Sequence, residues 1–247
     1  MNPLINISND DGILHLQMNR PEKKNALTLQ MYQTLADHIN AANNDQSIKI
    51  ILISASGDAF CSGNDLKDFM QNPPKDESSS VFQFIDALVN ADKPIIAAVN
   101  GLAVGIGTTM LLHCDLVYAS SSASFSLPFV HLGLCVEAGA SLLLPQLCGH
   151  QKAAELTLLG EPFDVHQANT IGLITKITSD EDLIETAMKN CKKLTRISTE
   201  AVQTTRRLLK STIKPELKKA IKHESDEFIR LLNRDEAKHI LQAFLNR

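Results

Sequence analysis

The chain has 247 residues, enough for one large domain with a sizeable core. Hydrophobic residues make up 44% and charged residues 21%, a globular composition that argues against wholesale disorder. The formal charge of −4, with no long basic run, leaves no electrostatic footprint for nucleic acid, and no apolar run reaches membrane-spanning length.

The opening residues, MNPLINISNDDG, have neither the positive n-region nor the apolar h-region of a signal peptide. Ile13 to Met18 alternates apolar and polar between Gly12 and Pro21, which predicts a strand. Asn19 to Thr28 (NRPEKKNALT) is a polar loop whose Thr28 hydroxyl can cap the next helix, where Met31, Leu35, His38, Ile39 and Ala42 recur at helical spacing. The β-branched run Ile48 to Ile53 predicts a buried strand, followed by a loop from Ser54 to Asp65. Asp65 suits the N-terminus of a short turn, Leu66 to Met70. Asn72 to Ser80 (NPPKDESSS) has no periodicity and reads as a mobile loop, and Val81 to Ala91 resumes helical spacing.

Pro94 to Val99 predicts a second buried strand, with a glycine-rich turn, GLAVGIG, before a helix over TTMLLHC. Asp115 to Ala119 and Leu173 to Ile177 read as strands; Leu142 to Leu147 and Lys152 to Leu159 read as helices, and Phe163 to Asn169 as a helical turn. From Asp180 onward every periodic segment is helical, with a break near Pro215. Strands alternating with helices, then helices alone, predict an α/β core with a helical C-terminal part. The apolar stripe Leu217, Ile221, Phe228, Leu231, Leu232, Ile240 and Phe244 either closes over that core or meets another subunit, and intramolecular packing is the simpler expectation.

Four features could carry chemistry. GLAVGIG has neither the G-x-G-x-x-G spacing of a dinucleotide site nor the Gly-Lys-Ser/Thr of a P-loop. Its glycines serve either a tight strand-to-helix turn or close approach of a ligand to backbone N–H groups. AFCSGNDL, Ala59 to Leu66, leaves another core strand, so the two segments could each present one N–H, as an oxyanion hole requires. His113-Cys114-Asp115 are adjacent, so they do not face one site, and no second ligand pair has zinc-like spacing; no metal site is expected. The five cysteines form no CxxC pair and read as reduced thiols in a cytoplasmic setting. Finally, Glu137 is a lone acid in the small and apolar run LPFVHLGLCVEAGAS. It either favours a helix N-terminus or acts as a general base whose proton affinity burial raises.

NRPEKKNALT, AFCSGNDLKD, KPIIAAVNGLAVGIG, CDLVYAS and FSLPFVHLGL occur in an order and spacing that resemble the crotonase, or enoyl-CoA hydratase/isomerase, superfamily over nearly the whole chain. The resemblance implies a crotonase-like α/β fold: a spiral of ββα units over residues 1–190 and a helical C-terminal region over 191–247 serving as trimerisation element or lid. It implies acyl-CoA thioester ligands and assembly as a homotrimer or dimer of trimers. The oxyanion donors would fall on the Asn64 and Ile106 N–H groups, the latter between Gly105 and Gly107. Lys23, Asn25 and Ala26, with Ser62, Gly63, Asn64, Asp65 and Leu66, would line the CoA site. Phe82, Phe84, Phe129 and the Asn72–Ser80 loop are candidates for shaping the acyl pocket.

The departures are specific. The two hydratase glutamates are replaced here by Thr109 and Phe129, which cannot share a water and deliver its proton. An acid stands instead at Glu137, which resembles the Δ3,Δ2-enoyl-CoA isomerases of the peroxisomal-like branch, although the chain ends LNR and not in an SKL-type address. The resemblance therefore implies an isomerase of fatty-acid β-oxidation with Glu137 as proton shuttle and no metal or redox cofactor. Other enolate chemistry (dienoyl isomerisation, hydration or thioester hydrolysis) and a non-catalytic acyl-CoA-binding role are the alternatives.

Overall fold

The structure is a computed structural model that describes residues 3–245. Among them the strands are β1 (Ile5–Asp10), β2 (Ile13–Met18), β3 (Ile50–Ala55), β4 (Ala59–Cys61), β5 (Ile95–Val99), β6 (Leu102–Val104), β7 (Leu116–Ser120), β8 (Ser124–Ser126), β9 (Phe163–Asp164) and β10 (Lys176–Thr178). The α-helices are α1 (Leu29–Asn44), α2 (Leu66–Gln71), α3 (Ser80–Asn90), α4 (Ile106–Thr109), α5 (Ala140–Cys148), α6 (His150–Ala154), α7 (Val165–Thr170), α8 (Leu183–Thr195), α9 (Thr199–Ser211), α10 (Lys214–Leu232) and α11 (Asp235–Leu245).

The strands form a six-stranded sheet in the order β1-β2-β3-β5-β7-β10 and a four-stranded sheet in the order β4-β6-β8-β9. Only the β1–β2 and β8–β9 pairs are antiparallel. After β2 and α1 the chain repeatedly gives one strand to each sheet and then turns into helix: β3-β4-α2, β5-β6-α4, β7-β8-α5. This is the spiral of ββα units that the resemblance implied.

The alternation within β3 explains why the large sheet is covered on both faces. Ile51 and Ile53 enter the main core, whereas Ile50 and Leu52 point to the other side, where Leu183, Ala187 and Cys191 of α8 meet them. These three lie four residues apart, so α8 needs only one apolar stripe to cover the sheet. The expected division between residues 190 and 191 falls inside this helix.

Differences from the sequence reading have local causes. β4, β6 and β8 have three residues each, too few to show a period; β4 and β6 lie in stretches that read as loop or turn, and β8 in one with no element of its own. β1 gives little signal in sequence because it is an edge strand exposed from Ile7 to Asp10, and its alternation stops after INIS. The break expected near Pro215 falls between α9 and α10, and Pro215 itself lies in the first turn of α10, where its missing N–H costs nothing. Of the expected C-terminal stripe, Phe228 and Leu232 belong to the chain's own main core and Ile221 and Leu231 pack against it, whereas Phe244 stays exposed.

Candidate active site

β4 and β6 are parallel neighbours, with Cys61 opposite Ala103, so both deliver the chain to the same edge of the small sheet. β4 leads into Ser62-Gly63-Asn64, and β6 leads through Gly105 into α4. Two glycines let these exits approach closely. A Cβ on Gly107 would lie 2.5 Å from the Cys61 carbonyl oxygen, and one on Gly63 would lie 3.3 Å from that of Val104. Gly63 also has a φ of +97°, and Gly105 one of +55°.

The geometry leaves two N–H groups free of the secondary structure around them. Asn64 forms a parallel bridge with Leu27, but the bonds that make it run from Leu27 N to Gly63 O (2.8 Å) and from Asp65 N to Leu27 O (2.9 Å). The Asn64 N–H is skipped. Ile106 is the first residue of α4, where an N–H has no intrahelical acceptor. A cavity of about 690 Å³ opens at this edge, with Ser62, Gly63, Asn64, Leu66, Gly105 and Ile106 in its wall. Apolar side chains from Phe129, Leu134, Phe228, Leu241 and Phe244 complete it.

The other expected binding residues act on the frame of this cavity, not in its wall. Asn25 is fully buried; its Nδ2 donates to Ser56 O (2.8 Å) and Ala59 O (2.7 Å), and its Oδ1 accepts from Arg20 N (2.8 Å). Asp65 caps α2 through Asp68 N and pairs with Arg20 at 2.7 Å. Partial burial pushes its carboxyl up, but the Asp68 N–H and Arg20 outweigh that and hold it below the ordinary value. Ala26 O accepts from Arg20 Nη1 (3.0 Å), and Lys23 O accepts from Ser62 Oγ (3.3 Å), so the Lys23–Ala26 loop abuts the cavity rim through its backbone. Of the candidate acyl-pocket phenylalanines, only Phe129 lines the cavity, its ring tip 3.6 Å from where a Gly105 Cβ would stand. Phe84 packs instead against Tyr32 in the core.

Glu137 is buried, and Thr109 Oγ1 donates to its Oε1 over 2.5 Å. Thr109 is three residues beyond Ile106, so the carboxyl is tied to the helix whose first residue lines the cavity. Glu137 is not itself in the cavity wall. Burial pushes its pKa up to about 8; the Thr109 bond opposes the shift and the charge of Glu224 adds to it. Thr109, which stands where the resemblance places a hydratase acid, thus orients the Glu137 carboxylate.

Three further side chains complete this arrangement; Tyr32 and Glu224 are not singled out by the sequence, and His113 is, but only within the His113-Cys114-Asp115 run. Tyr32 Oη donates to Asn64 Oδ1 (2.5 Å), and its hydroxyl is held well above its ordinary pKa by burial and then by Glu137. His113 Nε2 donates to Ala138 O (2.7 Å); burial lowers its pKa to about 4, so the ring is neutral. Glu224 accepts from Gly139 N (2.6 Å) and Ser141 N (2.8 Å). One signal could have found Glu224: it lies on the stripe Leu217, Ile221, Phe228 of α10, where an acid is out of place.

His113-Cys114-Asp115 is dispersed, as expected: Asp115 accepts from Ile95 N (2.8 Å) and pairs with Arg206 at 2.7 Å, while His113 faces Ala138. Among the described residues no group of three or more His, Cys, Asp or Glu could hold a metal ion, and no helix is long and apolar enough to cross a membrane.

The ββα spiral is that of the crotonase-type enzymes, whose chemistry is on acyl-CoA thioesters. Residues 8–247 match the family model described as enoyl-CoA hydratase/isomerase, and the chain belongs to that family. It is similar to Pseudomonas aeruginosa OdaA, 42% identical with a TM-score of 0.97 over 100% of both chains. An enoyl-CoA hydratase/isomerase from Pseudoalteromonas atlantica is 39% identical, with a TM-score of 0.94 over 99% of this chain and 97% of that one. Human enoyl-CoA delta isomerase 2 is 33% identical over 83% of this chain and 53% of its own length, so the chain spans about half of that relative.

Proposed function

We propose that the protein is a Δ3,Δ2-enoyl-CoA isomerase in fatty-acid β-oxidation, moving a C3=C4 double bond to the 2-trans position. The observation that carries this reading is the Thr109–Glu137 pair: one buried carboxylate, next to the oxyanion segments, bonded to the residue that replaces a hydratase acid. Phe129 stands where the second hydratase acid would be and offers no proton-transfer group.

In this mechanism the thioester oxygen accepts the Asn64 and Ile106 N–H groups. Glu137, as carboxylate, removes a proton from C2; the electron pair moves to the thioester oxygen, and the donors hold the resulting dienolate. Donors aimed at a developing oxyanion contribute typically ~3–4 kcal/mol each to transition-state stabilisation. The electron pair then returns through the conjugated chain, and protonated Glu137 delivers the same proton to C4. No atom is gained or lost, so one carboxylate is sufficient. A pKa of about 8 suits a group that must both take and return a proton near neutrality. At pH 7 that value leaves roughly a tenth of the population as the base.

The test is an assay of the purified protein with 3-enoyl-CoA, beside Glu137→Gln. The expected loss in kcat is roughly 10²–10⁴-fold. Intact turnover in Glu137→Gln would exclude it as the base. Rapid hydration of crotonyl-CoA, or release of free CoA, would instead assign a hydratase or thioesterase.

A further inference from the structure

Glu137 is followed by two residues in the left-handed region, Ala138 (φ +57°) and Gly139 (φ +76°). For alanine this conformation is strained and persists only where surrounding contacts over-determine it. The contacts come from three directions. His113 donates to Ala138 O (2.7 Å), and Leu217 fills the space where a Gly139 Cβ would lie, 2.3 Å from its Cδ1. Glu224 receives Gly139 N on Oε2 and Ser141 N on Oε1, at 2.6 and 2.8 Å. Gly139 and Ser141 flank the first residue of α5, so one side chain from α10 caps that helix across 85 residues of sequence and fixes the turn leaving Glu137.

We propose that Glu224 is a positioning residue for Glu137: through Gly139 and Ser141 it holds the backbone that aims the Glu137 carboxyl, and it is the charged neighbour to which that carboxyl is coupled. The proposal rests on the reading of Glu137 as the base. It gives the C-terminal helices a part in the chemistry, since α10 supplies the clamp.

The groups facing Glu137 single out Glu224 as the source of charge. From α4 comes the neutral Thr109 hydroxyl. From α1 comes Tyr32, whose phenol burial and Glu137 hold well above its ordinary value. Burial pushes the Cys61 thiol of β4 to about 12 and the Cys135 thiol to about 11, and both stay protonated at neutral pH. His113 is neutral. Glu224 is also pushed up by burial, with the Ser141 and Gly139 N–H groups opposing. Only an ionised carboxylate leaves both oxygens free of a proton to accept two N–H groups, so this geometry favours the charged form.

Glu224→Gln and Glu224→Asp separate charge from shape. NMR titration of the 13C-labelled Glu137 carboxyl, assigned with Glu137→Gln, reads its proton affinity without turnover; isomerase kinetics against pH read it during reaction. In Glu224→Gln the Glu137 titration and the rising limb of kcat/KM should both move to lower pH. Loss of alignment should lower kcat about tenfold, with KM within about twofold. Glu224→Asp keeps the charge and should keep the titration while losing rate through geometry. An unchanged Glu137 titration in Glu224→Gln would overturn the proposal. A shifted titration in a protein whose turnover survives Glu137→Gln would uphold the coupling and overturn the reading of Glu137 as base.

Discussion

Thr109 donates its hydroxyl to Glu137 over 2.5 Å, from a position one helical turn beyond the Ile106 N–H. The bond therefore orients the base relative to an oxyanion donor, and it favours the ionised carboxyl against the burial that raises its pKa to about 8. Thr109→Val keeps the volume and removes the donor. The Glu137 pKa should then rise further, the active limb of kcat/KM should move to higher pH, and activity at neutral pH should fall about tenfold. Thr109→Ser should restore the wild-type profile. A pH–rate profile for each variant decides; an unmoved limb in Thr109→Val would show that the bond does not set the proton affinity.

The same shift has a consequence for stability. Glu137 has an unfolded-state value near 4.5 and a folded-state value near 8, so the folded protein keeps a proton that the unfolded chain releases. The contribution is fully present below about pH 4.5 and is lost as pH rises through about 8. Taken alone, the shift corresponds to roughly 5 kcal/mol as an upper bound. Glu137→Gln cannot titrate, so it should melt above the wild type by at least about 2 °C near pH ~9 and show no such gain near pH ~4. Thermal melts at both values check this, and a gain independent of pH would point to packing instead.

Gly107 sets the distance between the two oxyanion segments, because a Cβ there would stand 2.5 Å from the Cys61 carbonyl oxygen. That neighbour is backbone in a paired strand and cannot swing away. Gly107→Ala should push α4 off β4 and spread the Asn64 and Ile106 donors. The expected result is a fall in kcat of roughly 10²–10³-fold, comparable to losing one donor, with KM for acyl-CoA less affected. Steady-state kinetics check it; near-normal kcat would mean the hole tolerates a wider spacing.

The parts of this fold that were legible in sequence are those decided locally. The β-branched runs gave β3 and β5, and the Thr28 and Asp65 caps opened α1 and α2 as expected. The small sheet was hidden because three-residue strands owe their existence to parallel neighbours, not to a period of their own. Within the candidate site, Asn64 and Ile106 could be named because motif order carried them, and Glu137 because it is the lone acid in an apolar run. Tyr32 could not, since it reaches Asn64 only after the chain has folded, across 32 residues; Glu224 stands out as an acid on an apolar stripe, but its partner 85 residues away does not. Phe84 was misjudged for a related reason: an aromatic on an amphipathic helix serves core and pocket equally well until the neighbouring helix, here α1 with Tyr32, is in place.

Asn25 shows how a residue outside the cavity can govern it. The side chain holds three hydrogen bonds while its backbone sits at a φ of +54°, a conformation asparagine tolerates better than most residues. The loop it braces receives Ser62 N at Lys24 O (3.0 Å) and sends Leu27 N to Gly63 O (2.8 Å), so it sets where the Asn64 N–H points. Asn25→Ala strands the Ser56 and Ala59 carbonyls and strains the backbone. It should lose on the order of 3 kcal/mol in stability, and kcat should fall in the fraction that remains folded. Asn25→Gly relieves the backbone but not the bonds, so it should fall between Asn25→Ala and the wild type. Asn25→Asp, which keeps the acceptor for Arg20 N but cannot donate to two carbonyls, should be at least as destabilised as Asn25→Gly. Urea melts with kinetics on the same preparations rank the three. Were Asn25→Asp as stable and active as the wild type, the donated bonds would be dispensable and the loop would be held by Arg20 and its pairing with Asp65 alone.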